Sequence, residues 1–259
     1  MTGVRSPSGR IPRSAAYASR MPLFRNRPDR IRGIAGSLDS KRVLIVEGTS
    51  GSGPGIVRVI AEAGANTVFV GDDHVAVDLL LRKLVGTPHA VDGIALDQNS
   101  PGLAASLEPT PHGVVINPSR LTTGEGSEIG PQQAVGFADL AATKMRDEGR
   151  TGSIVLITGI AHQGPTSSAF AYMRAEMEQL AARVATNGIR VNAVAPGQVA
   201  VNRRGNPVSS RVAPLGHSSV HPVEVGKASW FLINDDLSGG ITGSTLTVDR
   251  GASLARPEL

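Results

Sequence analysis

Apolar residues in this chain are grouped in two ways, and the two alternate from residue 41 onward. Short apolar runs at 43–47, 67–70, 93–96, 113–116, 153–157, 190–194 and 244–248 lie close to Gly, Pro, Asn or Asp and read as strands. Longer stretches at 56–63, 75–84, 132–147, 168–186 and 223–232 carry apolar residues three and four apart and read as helices. Runs that are apolar throughout belong to a sheet covered on both faces, and strand–helix alternation makes such a sheet parallel. The pattern therefore predicts an α/β fold, a doubly wound parallel sheet of seven strands in a single domain spanning residues 41–259. In the 168–186 helix, Phe170, Met173, Met177, Leu180 and Val184 form one apolar stripe on one helix face, which reads as core.

Composition changes the picture mainly at the start of the chain. Residues 1–42 hold ten Arg or Lys against two Asp, a net +8, so within a total of +4 the rest of the chain carries −4. Residues 1–40 are rich in Arg, Ser, Pro and Gly and are expected to be a disordered basic extension. An organelle presequence, an arm for nucleic acid or anionic membrane, and an unselected extension upstream of a start at Met21 all remain open for it. Arg outnumbers Lys 22 to 4, which points to a GC-rich bacterial genome and a cytoplasmic protein. The absence of cysteine excludes disulfides and thiolate chemistry, and six scattered His without paired spacing argue against a metal. Aromatics are 3%, which argues against a nucleic-acid stacking platform, and no apolar run reaches the length of a membrane span.

Candidate chemistry sits where strands end. Gly48, Gly53, Gly55 and Ile56 lie on a Gly-rich turn between the first strand and the first helix. There, backbone amides at a positive helix end can approach a pyrophosphate. Pro54, between two of these glycines, has no N–H to give. Asp72, after the second strand, suits a ribose 2′-hydroxyl and repels a 2′-phosphate, so NAD(H) is favoured over NADP(H). Residues 188–197 read as a helix stop, a buried strand and a Pro-Gly turn.

That last block, Gly188-Ile189-Arg190-Val191-Asn192-Ala193-Val194-Ala195-Pro196-Gly197, resembles the sixth-strand region of the short-chain dehydrogenase/reductase family. The resemblance continues through His221-Pro222-Val223-Glu224-Val225, Trp230-Phe231-Leu232-Ile233 and Ile241-Thr242-Gly243, and ends on Val248-Asp249-Arg250-Gly251. It covers roughly residues 41–254 and is closest to the 3-oxoacyl-reductase type. It implies a Rossmann-type fold, a homodimer or homotetramer, and hydride transfer between NAD(P) and a small carbonyl or hydroxyl compound. It also implies cofactor contacts at Asp97, Asn117, Pro196, Gly197 and Val199, besides the Gly-rich turn. That turn fits the family's signature with one residue inserted between Gly48 and Gly53.

Family members use a Tyr as general acid/base, a Lys four residues later that lowers the Tyr pKa, a Ser that orients the carbonyl and an Asn that holds a water. Here Gly159 takes the Ser position, with Thr158 the nearest hydroxyl, and the Asn position falls on Gly130. Counting back from Gly188 puts Thr166 at the Tyr position and Phe170 at the Lys. Counting forward from Gly159 puts Tyr172 and Glu176 there. Neither register supplies a Lys, and Arg174 is two residues from Tyr172 and so on another helix face. Tyr172 and Thr158 are the candidate catalytic residues. Two functions follow: a divergent NAD(P)-dependent oxidoreductase, or a non-catalytic homologue acting through dinucleotide sensing or protein contacts.

Overall fold

The computed structural model describes residues 34–96, 102–118, 130–159, 167–199, 213–216 and 219–254. Its strands are β1 (Arg42–Val46), β2 (Asn66–Gly71), β3 (Val91–Ala95), β4 (Gly113–Ile116), β5 (Gly152–Ile157), β6 (Ile189–Pro196) and β7 (Thr245–Val248). They form one sheet in the order β3-β2-β1-β4-β5-β6-β7, with every pair parallel. The helices are α1 (Gly53–Glu62), α2 (His74–Lys83), α3 (Gly102–Ala105), α4 (Pro131–Asp147), α5 (Ser167–Val184), α6 (Pro222–Ile233) and α7 (Asp235–Ser238).

Strand side chains alternate between two cores, which is why the central strands are mostly apolar, with Ser153, Arg190 and Asn192 the buried polar exceptions on β5 and β6. Leu44, Val46, Val114, Ile116, Ile154 and Leu156 face α4 and α5 in one core. Val43, Ile45, Val115, Val155, Ile157 and Val194 face α1, α2 and α6 in the other. The stripe on α5 is core: Met173, Met177, Leu180 and Val184 are buried in the first cluster. Each such side chain gives about 1.5–3 kcal/mol relative to exposure, while Phe170, the fifth residue of the stripe, is partly buried and lies outside that cluster.

Local signals set the element ends. α2 starts at Asp73, whose carboxylate accepts from the Val75 N–H at 2.8 Å. α6 starts at His221, whose Nδ1 accepts from the Val223 N–H while Glu224 accepts from the His221 N–H at 2.8 Å, a reciprocal cap. α5 gives way to a short 3₁₀ turn at Ala185–Asn187 and stops at Gly188, which lies in the left-handed region at φ 71°.

The described body begins before residue 41. Ile34 and Leu38 are buried in the second core, and the Trp230 indole donates to Ser37 Oγ at 2.8 Å. Residues 34–40 thus belong with α6 and not with an extension, because two isolated apolar residues there find a ready groove.

Strand order reverses between β1 and β4, whose chains leave in opposite directions along the sheet. A crevice opens at the carboxyl ends of strands at such a point, and that is where ligands bind in open α/β sheets.

Candidate functional site

The crevice is built around one buried side chain, Asn117, which follows β4. Its amide nitrogen donates to the carbonyls of Glu47 and Ser50 at 2.9 and 3.0 Å, and its oxygen accepts from Ser52 Oγ at 2.8 Å. Its backbone N–H extends the β4–β1 ladder to Val46 O at 3.1 Å. Asn117 therefore ties the Gly-rich turn to the sheet from below. Sequence reasoning assigns Asn117 to cofactor binding; its hydrogen bonds here hold the loop.

Glu47 turns the chain out of β1. It is fully buried in the left-handed region at φ 59°, and its carboxylate accepts from Ser50 Oγ at 3.0 Å. A side chain in that conformation costs roughly 1–2 kcal/mol, which the surrounding hydrogen bonds offset. The apolar pattern gives no warning of it, although a lone Glu ending a buried run was a usable signal.

The glycines of the turn are needed for close approach. A Cβ on Gly53 would lie 2.3 Å from Glu47 O, and one on Gly48 2.8 Å from Phe69 Cβ. At Gly55 the conflict is with α6, since a Cβ there would lie 2.2 Å from the Pro222 carbonyl carbon. Ile56 is fully buried beneath the turn. The first amides of α1 are occupied as well: Gly53 N–H donates to Ser50 O at 2.8 Å, and Gly55 and Ile56 N–H donate to Ser52 O at 3.0 and 3.1 Å.

At the β2 end, the Thr49 side chain covers Gly71, where a Cβ would lie 2.5 Å from Thr49 Oγ1. Asp72 follows, exposed at the carboxyl end of β2. Asp97 and Thr166 lie outside the described residues.

The opposite end holds the catalytic candidates. Thr158 is buried, and its hydroxyl lies 3.3 Å from Val194 O, to which it donates. Gly159 follows, and a Cβ on it would lie only 2.1–2.6 Å from the ring atoms of Phe170, in the first turn of α5. Phe170 thus occupies the space beside the end of β5. Tyr172, two residues further along a helix that turns about 100° per residue, faces roughly 200° away and is 38% exposed. Arg174 pairs with Glu178 at 2.9 Å, one turn along the exposed side. The structure does not bring Tyr172 to Thr158.

Pro196 closes β6. Gly197 donates to Val248 O at 2.9 Å, and a Cβ on it would lie 3.0 Å from Asp249 Cβ. Val199 pairs in parallel with Val220 and packs on the second core. Asp249 itself is buried, which alone would raise its pKa. Hydrogen bonds from Ser253, and from the Gly251 N–H at 2.8 Å, outweigh burial and hold it below the usual carboxylate range. These residues fasten the C-terminal strands beside the crevice. Among the described residues no group of His, Asp and Glu could hold a metal ion, and no helix is long and apolar enough to cross a membrane.

Residues 132–253 match the family model described as enoyl-(acyl carrier protein) reductase. Oxidoreductase UcpA of Escherichia coli strain K12 is 26% identical over 257 residues, covering 85% of this chain and 97% of that protein. A solved short chain dehydrogenase/reductase family protein is 28% identical with a TM-score of 0.66, covering 85% of this chain and 100% of its own. The chain belongs to the short-chain dehydrogenase/reductase family. A 3-oxoacyl-[acyl-carrier protein] reductase from Brucella melitensis, solved with bound NAD, shares this fold at a TM-score of 0.74 and 23% identity, covering 91% of this chain and 99% of its own. As a short-chain dehydrogenase/reductase the chain has an oxidoreductase scaffold of an NAD(P)-binding family. Its Gly-rich turn, Asp72 and Asn117 lie at the carboxyl ends of β1, β2 and β4.

Proposed function

We propose that this chain is a nucleotide-binding member of its family that no longer carries out standard hydride transfer, and that it acts through ligand-dependent contacts with other chains. The observation that carries the reading is Phe170 against Gly159. In that place an apolar ring stands where carbonyl reduction needs a hydroxyl and a cation close together. A phenol serves as a proton donor near neutral pH only if its pKa is lowered by a neighbouring cation. Tyr172 lies on the other side of the helix, and its neighbour Arg174 is engaged by Glu178.

NAD(H) is the favoured ligand over NADP(H), because the exposed Asp72 would accept from a 2′-hydroxyl and repel a 2′-phosphate. Binding is weak, in keeping with a turn that contributes Pro54 in place of an amide donor. A homodimer or homotetramer and a bacterial cytoplasmic setting complete the proposal. Neither nucleic acid nor membrane is a partner in it.

The competing reading is an active oxidoreductase of small carbonyl or hydroxyl compounds, 3-oxoacyl compounds among them. Purified protein mixed with NADH and a panel of ketones and 3-oxoacyl thioesters separates the two. The proposal expects NADH to bind and its absorbance at 340 nm to stay constant. Steady oxidation that disappears in Tyr172→Phe would establish the competing reading instead.

A further inference from the structure

We propose that the phosphate end of this crevice no longer recognises a pyrophosphate, and that ligands are held through their nucleoside. This rests on the reading of the crevice as a nucleotide site and goes beyond it by naming the part of the ligand that is recognised. A helix start attracts an anion because its first amides have no partner within the helix. In α1 every one of them is accounted for. Gly53 N–H turns back to Ser50 O, Gly55 and Ile56 N–H both reach Ser52 O, and Pro54 has no N–H. The hydroxyls that could replace them also point inward, Ser50 Oγ to Glu47 and Ser52 Oγ to Asn117. Segment 47–56 contains no Lys or Arg and one carboxyl, on Glu47. A dianionic pyrophosphate laid over this turn would lose hydration without gaining charge-assisted hydrogen bonds from α1.

The remaining polar groups suit a nucleoside. Asp72 offers an acceptor to a ribose hydroxyl, and at the neighbouring strand end partly buried Leu96 donates its N–H to Gly71 O at 2.9 Å. Pro54 is therefore the specificity-determining position. Replacing it by Ala restores an amide at the second helical residue, which needs no partner within the helix and so is free for an anion.

Calorimetric titration of the full chain with adenosine, ADP-ribose and NAD+, in the wild type and in Pro54→Ala, tests this. In the wild type the three ligands should bind within about threefold of one another. In Pro54→Ala, ADP-ribose and NAD+ should tighten about tenfold, roughly what one charge-assisted hydrogen bond supplies, with adenosine unchanged. Wild-type ADP-ribose binding ten times tighter than adenosine would overturn the inference while leaving the nucleotide site intact. No gain for ADP-ribose in a Pro54→Ala protein that still binds adenosine would remove Pro54 from the argument and overturn the inference as stated. Absence of binding by all three ligands at millimolar concentration would instead defeat the nucleotide reading itself. The wild-type comparison stands even if the variant folds poorly.

Discussion

Phe170 and Gly159 meet so closely that no side chain fits between them: a Cβ on Gly159 would lie 2.1 Å from Phe170 Cζ. Gly159→Ser should therefore destabilise the fold by about 1–3 kcal/mol, the usual cost of forcing extra atoms into a packed contact. Combined with Phe170→Ala, the serine finds the vacated space. The double variant should then lose at least about 1 kcal/mol less than the sum of the two single losses. Urea unfolding of the four proteins measures the coupling, and strict additivity would mean that the ring is not the obstacle.

That contact also marks where sequence reading ends. The α/β class and the parallel sheet were legible because β1, β4, β5 and β6 are mostly apolar, with helices between them. β4 was read at its observed limits, and most other ends shifted by one to three residues, where caps and ladder bonds outweigh hydropathy. The four-residue helices α3 and α7 are too short to show a period, and residues 34–40 have too few apolar positions to reveal their docking on α6. In the site, Asp72 was singled out because it follows a strand, and Asn117 through the family resemblance. Whether Gly53 and Gly55 serve a ligand or a tight contact depends on partners far away in sequence, Pro222 among them, which no local pattern encodes.

Asn117 should be the most costly side chain of the crevice to remove. Asn117→Ala deletes three hydrogen bonds and leaves the Glu47 carbonyl short of a donor in a buried setting. At about 1 kcal/mol net for each bond, a loss of roughly 2–4 kcal/mol is expected. Amide exchange should report the same change locally, with Gly48 and Gly53 losing protection before the centre of β4 does.

His112 gives the fold a pH dependence of known sign. Its Nδ1 accepts from the Arg42 N–H at 3.0 Å, which requires the ring to be uncharged at that nitrogen. Burial lowers its pKa, nearby Lys41 and Arg150 lower it further, and Asp235 opposes them. A histidine that is harder to protonate when folded contributes stability above its unfolded pKa of about 6.5. That contribution is lost as pH falls from there through the lower folded value. Urea unfolding at pH 7.5, 6.5 and 5.5 should show the wild type losing stability over this range by more than His112→Gln does. Equal slopes in the two proteins would remove His112 as the cause.

Arg250 holds a conformation that favours glycine, at φ 58°, and keeps it through a fork of contacts to Glu224. One guanidinium nitrogen lies 2.7 Å from both carboxylate oxygens, and Nε lies 3.2 Å from Oε2. The backbone strain costs roughly 1–2 kcal/mol, while a charge-assisted pair at this partial exposure returns a similar amount. Arg250→Ala keeps the strain and loses the pair, so it should lower stability by about 1–2 kcal/mol. Arg250→Gly loses the pair but also the strain, and should recover about 1 kcal/mol relative to the alanine variant. Glu224→Ala should be worse than either, because Oε2 also accepts from the His221 N–H that opens α6. Thermal unfolding of the three variants should therefore rank them glycine, alanine, then Glu224→Ala in falling midpoint. A glycine variant no more stable than the alanine one would show that the backbone at 250 is not strained.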